Sequence, residues 1–316
     1  MLALGIDIGG MSMKFAVVNE EGKIVSNVGK LVTIKEPQEV TAHKIGAAVN
    51  EFLTKEGFDK SQIKGIGIGC PGSINTDTGL VNYSNNIEWE ELELGKILEE
   101  DTGLKVLIAN DANAATLGEV KFGAGKQYKN AIMLTLGTGV GGGIVIDGVM
   151  YQGNLCGGAE LGHSTIDLNS KIQCTCGRYG CLEAYASATA LMRQTREAML
   201  ENKDSKMWEL CDGDINNVSG KTAFDGKLLG DPAATKVIEN YVKYLGEGVI
   251  NFVNIFRPEV VIFSGGVANQ KEALLQPLRE YVNPRVYGYP RTPSVELMNA
   301  VLGYESGIIG AASLIL

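Results

Sequence analysis

The chain has 316 residues, 45% hydrophobic and 21% charged, with a formal net charge of −9. That is ordinary globular composition with length for two domains. The acidic balance disfavours a nucleic-acid surface, which needs a basic stripe. No apolar run reaches the roughly 18–20 residues of a membrane span. The opening MLALGIDIGG has no basic leader, so the six cysteines are expected as reduced thiols in a cytoplasmic protein.

Leu2 to Ile8 reads as a strand ending at Asp7, Gly9 and Gly10, and Lys14 to Val18 as a second strand. A strand, glycine turn, strand unit places backbone N–H groups where a phosphate can sit, with Asp7 able to hold a magnesium-bound water. A plain hairpin explains the same residues. Thr41 to Lys55 has the apolar spacing of a helix, with His43 on its surface. Ile63 to Ile68 is a strand running into Gly69-Cys70-Pro71-Gly72. Val106 to Ala109 is another, ending at Asn110-Asp111 before a helix over 112–120. An Asp at that junction is placed for catalysis or for capping the helix.

Ala131 to Leu136 and Ile144 to Ile146 flank the run Gly137-Thr138-Gly139-Val140-Gly141-Gly142-Gly143. It repeats the logic of Gly9-Gly10, and two such units about 130 residues apart predict an internal duplication. Gly67, Gly69 and Gly72, like Gly137, Gly139 and Gly142, fit G-x-G-x-x-G without opening a helix of a βαβ unit. Helices are expected over 184–202, from Pro232 to about Phe256, over 271–281 and over 307–316. Strand Val260 to Phe263 leads to Gly265-Gly266, where a flat base or ribose can approach the backbone.

Between these segments, His163, Cys174, Cys176 and Cys181 fall within nineteen residues. One imidazole and three thiolates make the set of a closed tetrahedral zinc site, with Gly177 and Gly180 giving the turn. Unpaired buried cysteines or a disulfide are the alternatives. Buried thiols are the default for Cys70, Cys156 and Cys211. Glu160 and Glu183 flank the four ligands but suit a soft thiolate site poorly. The metal then acts as a staple fixing a loop that carries them, unless they are solvated surface residues.

These segments, in this order, resemble the ROK family of sugar kinases and sugar-responsive repressors across essentially the whole chain. The resemblance rests on Asp7-Ile8-Gly9-Gly10, Pro71-Gly72, Asn85-Asn86-Ile87-Glu88-Trp89, Asn110-Asp111-Ala112-Asn113, the 136–143 glycine run, Glu160-Leu161-Gly162-His163 and the cysteine segment to Glu183. It implies a two-lobed, actin-like α/β fold of the hexokinase and ribonuclease-H type with a zinc-stapled loop. Residues 1–110 and 298–316 would form the small lobe and 111–297 the large one, with ATP and sugar bound between them. By the same resemblance Asp111 is the general base. Gly72, Asn86, Asn110, Glu160, His163 and Glu183 hold the sugar. Asp7, Gly9, Gly10, Ser12, Lys14, Gly137, Thr138 and Gly139 lie near the ATP phosphates, and Gly265 and Gly266 near the adenosine. ATP, Mg²⁺ and a structural Zn²⁺ are implied, with no nucleic-acid or membrane partner and a homodimer or homotetramer as the assembly.

The family usually has Thr after Asp-x-Gly-Gly; here it is Met11, followed by Ser12. A hydroxyl near the phosphate is thereby lost or moved by one residue. The implied activity is phosphorylation of a hexose, glucose first. The alternatives are another sugar (fructose, N-acetylmannosamine, a glucoside) or a non-catalytic sugar sensor. A repressor would carry a helix-turn-helix before the first phosphate motif, which here begins at residue 5.

Overall fold

In the computed structural model, residues 1–32, 36–84 and 87–316 are described; Asn86, expected to face the sugar, lies outside them. β1 (Leu2–Ile8) and β2 (Ser12–Asn19) form the expected hairpin, and β3 (Gly29–Val32) adds a third antiparallel strand. Helix α1 (Gln38–Glu56) ends at Gly57 with φ 78°, a left-handed stop that glycine adopts without strain. β4 (Ile63–Cys70) runs parallel to β1. β5 (Ser73–Asn75), β6 (Leu80–Ser84) and β7 (Trp89–Leu92) make a small antiparallel sheet that the periodicity had not revealed. After α2 (Leu94–Thr102), β8 (Val106–Asn110) lies parallel to β4 and leads into α3 (Asp111–Phe122).

Next come β9 (Ala131–Leu136), β10 (Val140–Ile146) and β11 (Val149–Met150). The helix expected over 184–202 is broken. α4 (Glu183–Ala186) stops at Ser187, whose side chain accepts from Ala190 N and starts α5 (Ala188–Glu201). The 204–231 stretch supplies only α6 (Thr222–Leu228) and short turns. α7 (Pro232–Phe256) starts where expected, capped by Asp231 with Pro232 in its first turn. β12 (Val260–Ser264), α8 (Glu272–Val282), β13 (Glu296–Asn299) and α9 (Ser306–Ala312) complete the chain.

The first large sheet has the order β3-β2-β1-β4-β8 and the second β11-β10-β9-β12-β13. In each, the fourth and fifth strands run parallel, β4 with β8 and β12 with β13. The same strand order twice is the duplication that the paired glycine turns predicted. The chain forms two compact units: Met1–Lys129, Gly143–Ala159 and Ala300–Leu316 in one, Asn130–Gly142 and Glu160–Asn299 in the other. A division at 110/111 is not where packing separates the chain, because α3 belongs with the first unit, held against α9. No helix among the described residues is long and apolar enough to cross a membrane.

Side-chain size alternates across the first sheet and sets its packing. Leu4, Ile6, Ile66 and Ile68 point to one face, where Ile45, Val49 and Phe52 of α1 and Leu98 of α2 complete a large core. The opposite face carries Ala3, Gly5, Gly65 and Gly67, so α9 comes down almost onto the backbone. A Cβ on Gly5 would lie 2.1 Å from the Ile308 carbonyl oxygen, and one on Gly67 1.8 Å from that of Ala311. Gly118 of α3 and Gly310 of α9 touch in the same way. The fully buried Glu119 then fixes the returning chain, its carboxylate accepting from Ala124 N, Val301 N and Leu302 N.

Gly67→Ala is expected to destabilise the protein by about 1–3 kcal/mol, because a methyl group there must displace helix backbone. Urea unfolding measures it; an unchanged midpoint would show that α9 can shift without cost.

Candidate functional site

In the first unit the expected residues converge on the C-terminal ends of β1, β4 and β8. Asp7 lies opposite Lys14 on β2 and beside Gly69 on β4. Its carboxyl carbon would be 2.5 Å from a Cβ on Gly307, so the carboxylate rests against the start of α9. Gly9 N donates to the Ser12 carbonyl across the turn at 3.1 Å. Gly10 and Met11 are open to solvent, Met11 at 87% exposure, so Met11 packs nothing. Ser12 and Lys14, two residues apart, are both half-buried and project to one face of β2.

Asp111 opens α3 but does not cap it. Asn110 does, its Oδ1 accepting from Ala112 N at 3.0 Å and Asn113 N at 3.3 Å. The same side chain donates from Nδ2 to the Gly72 carbonyl at 3.1 Å, so Asn110 is committed to the protein at both ends. Gly72 has φ 112° and presses on the Tyr83–Ser84 backbone, which gives it a packing role independent of any ligand. With Asn110 as the cap, the capping explanation no longer accounts for Asp111.

Burial holds the Asp111 carboxyl above the usual carboxylate range, opposed by the Ala112 backbone N–H at 2.9 Å. Asp7 is also raised, first by burial and then by the Asp111 charge, with Lys14 pulling the other way. Cys70, buried beside Asp111, is pushed up by desolvation and by that same charge. Two carboxylates in a desolvated place with one lysine nearby are underneutralised, which suits a divalent cation, with Asp7 as its holder. Sequence reading overlooked Asn113, which is 7% exposed and whose Oδ1 has no partner among the described residues. The signal was the second amide in Asn110-Asp111-Ala112-Asn113.

In the second unit, the ligand atoms of His163, Cys174, Cys176 and Cys181 all lie within 4.8 Å of one another. Cys176 Sγ is 3.7 Å from Cys181 Sγ, and Cys174 Sγ is 3.5 Å from His163 Nδ1. Zn–S bonds of about 2.3 Å in a tetrahedron put sulfurs about 3.8 Å apart, close to the Cys176–Cys181 separation, so the set could hold zinc. No cysteine is in a disulfide. Since Nδ1 faces the thiols, Nε2 is the imidazole nitrogen left for another partner. The hairpin from Gln173 to Tyr179 turns at Gly177, φ 86°, as expected of that glycine. Of the three remaining cysteines, Cys70 and Cys211 are buried as expected, but Cys156 is only half-buried. It sits in a left-handed backbone with Leu155 and Ala159, in a turn too exposed to enclose a thiol.

Glu160 immediately precedes a short turn over Leu161–His163 and is solvent-exposed. Glu183 starts α4 and is engaged on both oxygens, by Thr175 Oγ1 at 2.6 Å and Val140 N at 3.0 Å. Gly137 N donates to the Gly139 carbonyl at 3.1 Å, closing the glycine turn with Thr138 exposed at its tip. A Cβ on Gly139 would strike Glu183 Oε2 at 2.2 Å, so this glycine is required by Glu183 as well as by any phosphate. Gly265 has φ 89° and lies against the Leu136 backbone, whereas the space around Gly266 is open. Both glycines are solvent-exposed, so the contact behind Gly265 bars a side chain there and leaves its outer face open.

The ROK family model matches residues 3–316. The chain is 37% identical to the glucokinase of Thermotoga maritima, over 99% of this chain and 96% of that protein. It is 31% identical to the xylose repressor of Bacillus subtilis, over 99% of this chain and 77% of the repressor. Among solved structures, the ROK family glucokinase of Streptomyces griseus in complex with glucose and AMPPNP matches with a TM-score of 0.81. Its identity is 34%, covering 99% of each chain. This likeness bears out the actin-like α/β fold.

Two measurements test the site. Purified protein is expected to carry one zinc per chain by elemental analysis, and Cys176→Ser to lose it; zinc-free protein with a disulfide among these cysteines would overturn the metal assignment. For Asp111, the folded state keeps its proton to higher pH than the unfolded chain. Stability is therefore present below the ordinary carboxylate value of about 3.9 and declines as pH rises through the raised folded value. Asp111→Asn removes that loss, so its melting temperature is expected above wild type at neutral pH, with the difference vanishing near pH about 3. A lower melting temperature at neutral pH would show that the carboxylate stabilises the fold.

Proposed function

Because the chain belongs to the ROK family, we propose that it is an ATP-dependent sugar kinase that transfers the γ-phosphoryl group to a hexose hydroxyl, glucose being the first candidate. One observation carries this reading: a buried carboxylate, Asp111, at a strand-to-helix junction where another residue does the capping. The near full-length likeness to glucokinases supports it.

Phosphoryl transfer asks a protein for positioning and charge neutralisation more than for covalent help. Asp111 takes the hydroxyl proton as the bond to phosphorus forms, and its raised pKa makes it a better acceptor than an ordinary Asp. Glu160, uncommitted in this structure, and the free Nε2 of His163 offer an acceptor and a donor or acceptor to sugar hydroxyls. Asn86, Asn110, Gly72 and Glu183 complete the sugar contacts in this reading. Asn110 and Gly72 act there by holding the junction, since their groups already bond each other. The turns at Gly9-Gly10 and Gly137-Thr138-Gly139 offer N–H groups to the phosphates, with Ser12 and Lys14 beside the first. Gly265 and Gly266, both exposed after β12, would lie against the nucleoside. Magnesium bound near Asp7 would neutralise phosphate charge. Zinc would only order the loop of Glu160 and His163.

The match to a xylose repressor favours a second reading, a sugar sensor without catalysis. ATP turnover against a panel of hexoses decides between them and names the sugar; no turnover with any hexose would sink the kinase. Within the kinase reading, Asp111→Asn is expected to lower kcat by about 10²–10⁴-fold, because an amide cannot accept the proton. Sugar affinity should change far less. A folded variant with near-normal kcat would reject Asp111 as the base.

A further inference from the structure

The segment Glu183–Thr189 begins two residues after the last thiol, Cys181, and meets the glycine turn at three points. Ala188 N donates to the Gly137 carbonyl at 2.8 Å. Thr189 Oγ1 donates to the Thr138 carbonyl, also at 2.8 Å. Glu183 Oε2 accepts from Val140 N at 3.0 Å. Two carbonyls and one N–H of the turn are thus fixed by the helices that follow the cysteine hairpin.

The second oxygen of Glu183 reaches the other way. Oε1 accepts from Thr175 Oγ1 at 2.6 Å. Thr175 lies between the metal-ligand candidates Cys174 and Cys176, so a single carboxylate joins the cysteine hairpin to the glycine turn. A short hydroxyl-to-carboxylate bond is charge-assisted and stronger than a neutral one. Among the described residues, the Glu183 side chain bonds only this hairpin and this turn. Backbone N–H groups bind phosphate well only when their directions are fixed beforehand, since ordering them on binding costs affinity.

We infer that Glu183 is a positioning residue for the glycine turn, and that order in the cysteine hairpin, passed through Thr175 and Glu183, sets the affinity of the turn for nucleotide. The consequence for nucleotide rests on reading the turn as a phosphate loop; the strut itself does not. A carboxylate assigned only to sugar hydroxyls would have no effect on nucleotide binding in the absence of sugar. A strut would.

Thr175→Val tests this cleanly, because valine keeps the shape of threonine and removes only the hydroxyl. Thr175 is neither a candidate ligand nor a candidate sugar contact. Zinc content, amide hydrogen exchange over residues 137–140 and AMPPNP affinity without sugar are measured on the same samples. Thr175→Val is expected to keep its zinc, exchange those amides about tenfold faster and bind AMPPNP about three- to tenfold more weakly, the scale of one lost hydrogen bond. Thr175→Ser, which retains the hydroxyl, should restore both. Unchanged exchange in zinc-replete Thr175→Val overturns the strut, and faster exchange with unchanged AMPPNP affinity overturns its link to nucleotide. A wild-type protein that binds no AMPPNP overturns the kinase reading alone, and exchange still decides the strut.

Discussion

The cysteine segment of the second unit depends on one constraint, the convergence of His163, Cys174, Cys176 and Cys181. Four ligand atoms at the separations of a tetrahedral site fold nineteen residues into a knuckle that has almost no apolar core of its own. Both ends of that knuckle carry a carboxylate. Glu160 leads into His163, and Glu183 follows Cys181 into α4. A loop this polar would pay a large ordering entropy without a cross-link. An ion held by these four residues would order the loop while leaving Glu160 exposed.

The first unit meets the opposite problem, which is how to bury charge. Small residues on one face of β1 and β4 let α9 approach the sheet backbone, and Asp7 lies at the edge of that approach against Gly307. Asp111 sits at the end of β8, beside the fully buried Cys70. Close packing removes water from both carboxyls and raises both. The arrangement costs stability at neutral pH, where burial opposes the charged form of each carboxyl. Asn110 takes the cap and the bond to Gly72, and Asp111 accepts from the Ala112 N–H and its own backbone N–H.

Several of the expected site residues also have protein partners that the sequence did not show. Asn110 and Glu183, expected to face sugar, also bond protein groups, Asn110 the Gly72 carbonyl and Glu183 the Val140 N–H. Gly139 was expected to make room for phosphate and also makes room for Glu183. Gly72 and Gly265 are required by backbone close behind them, Gly266 by none. A motif says which residue types gather; it does not say which partner each one takes.

By itself the sequence determined the strands β1, β9 and β12, the span of α7 with its Asp231-Pro232 start, the repeated strand–glycine–strand unit, and the ligand set of the knuckle. Each is a local pattern: apolar period, cap, turn residue or ligand spacing. Also legible, though unread, was the large-small alternation Ile66-Gly67-Ile68-Gly69, which already states that one face of β4 accepts a helix at close range. Only the tertiary structure decided the break at Ser187, the small sheet of β5, β6 and β7, the capping of α3 by Asn110 and the double engagement of Glu183. Those outcomes turn on hydrogen bonds between residues tens of positions apart, such as Asn110 to Gly72 and Glu183 to Val140. No periodicity along the chain encodes such a pairing. It exists only once the strands and the knuckle have brought the partners within about 3 Å of each other.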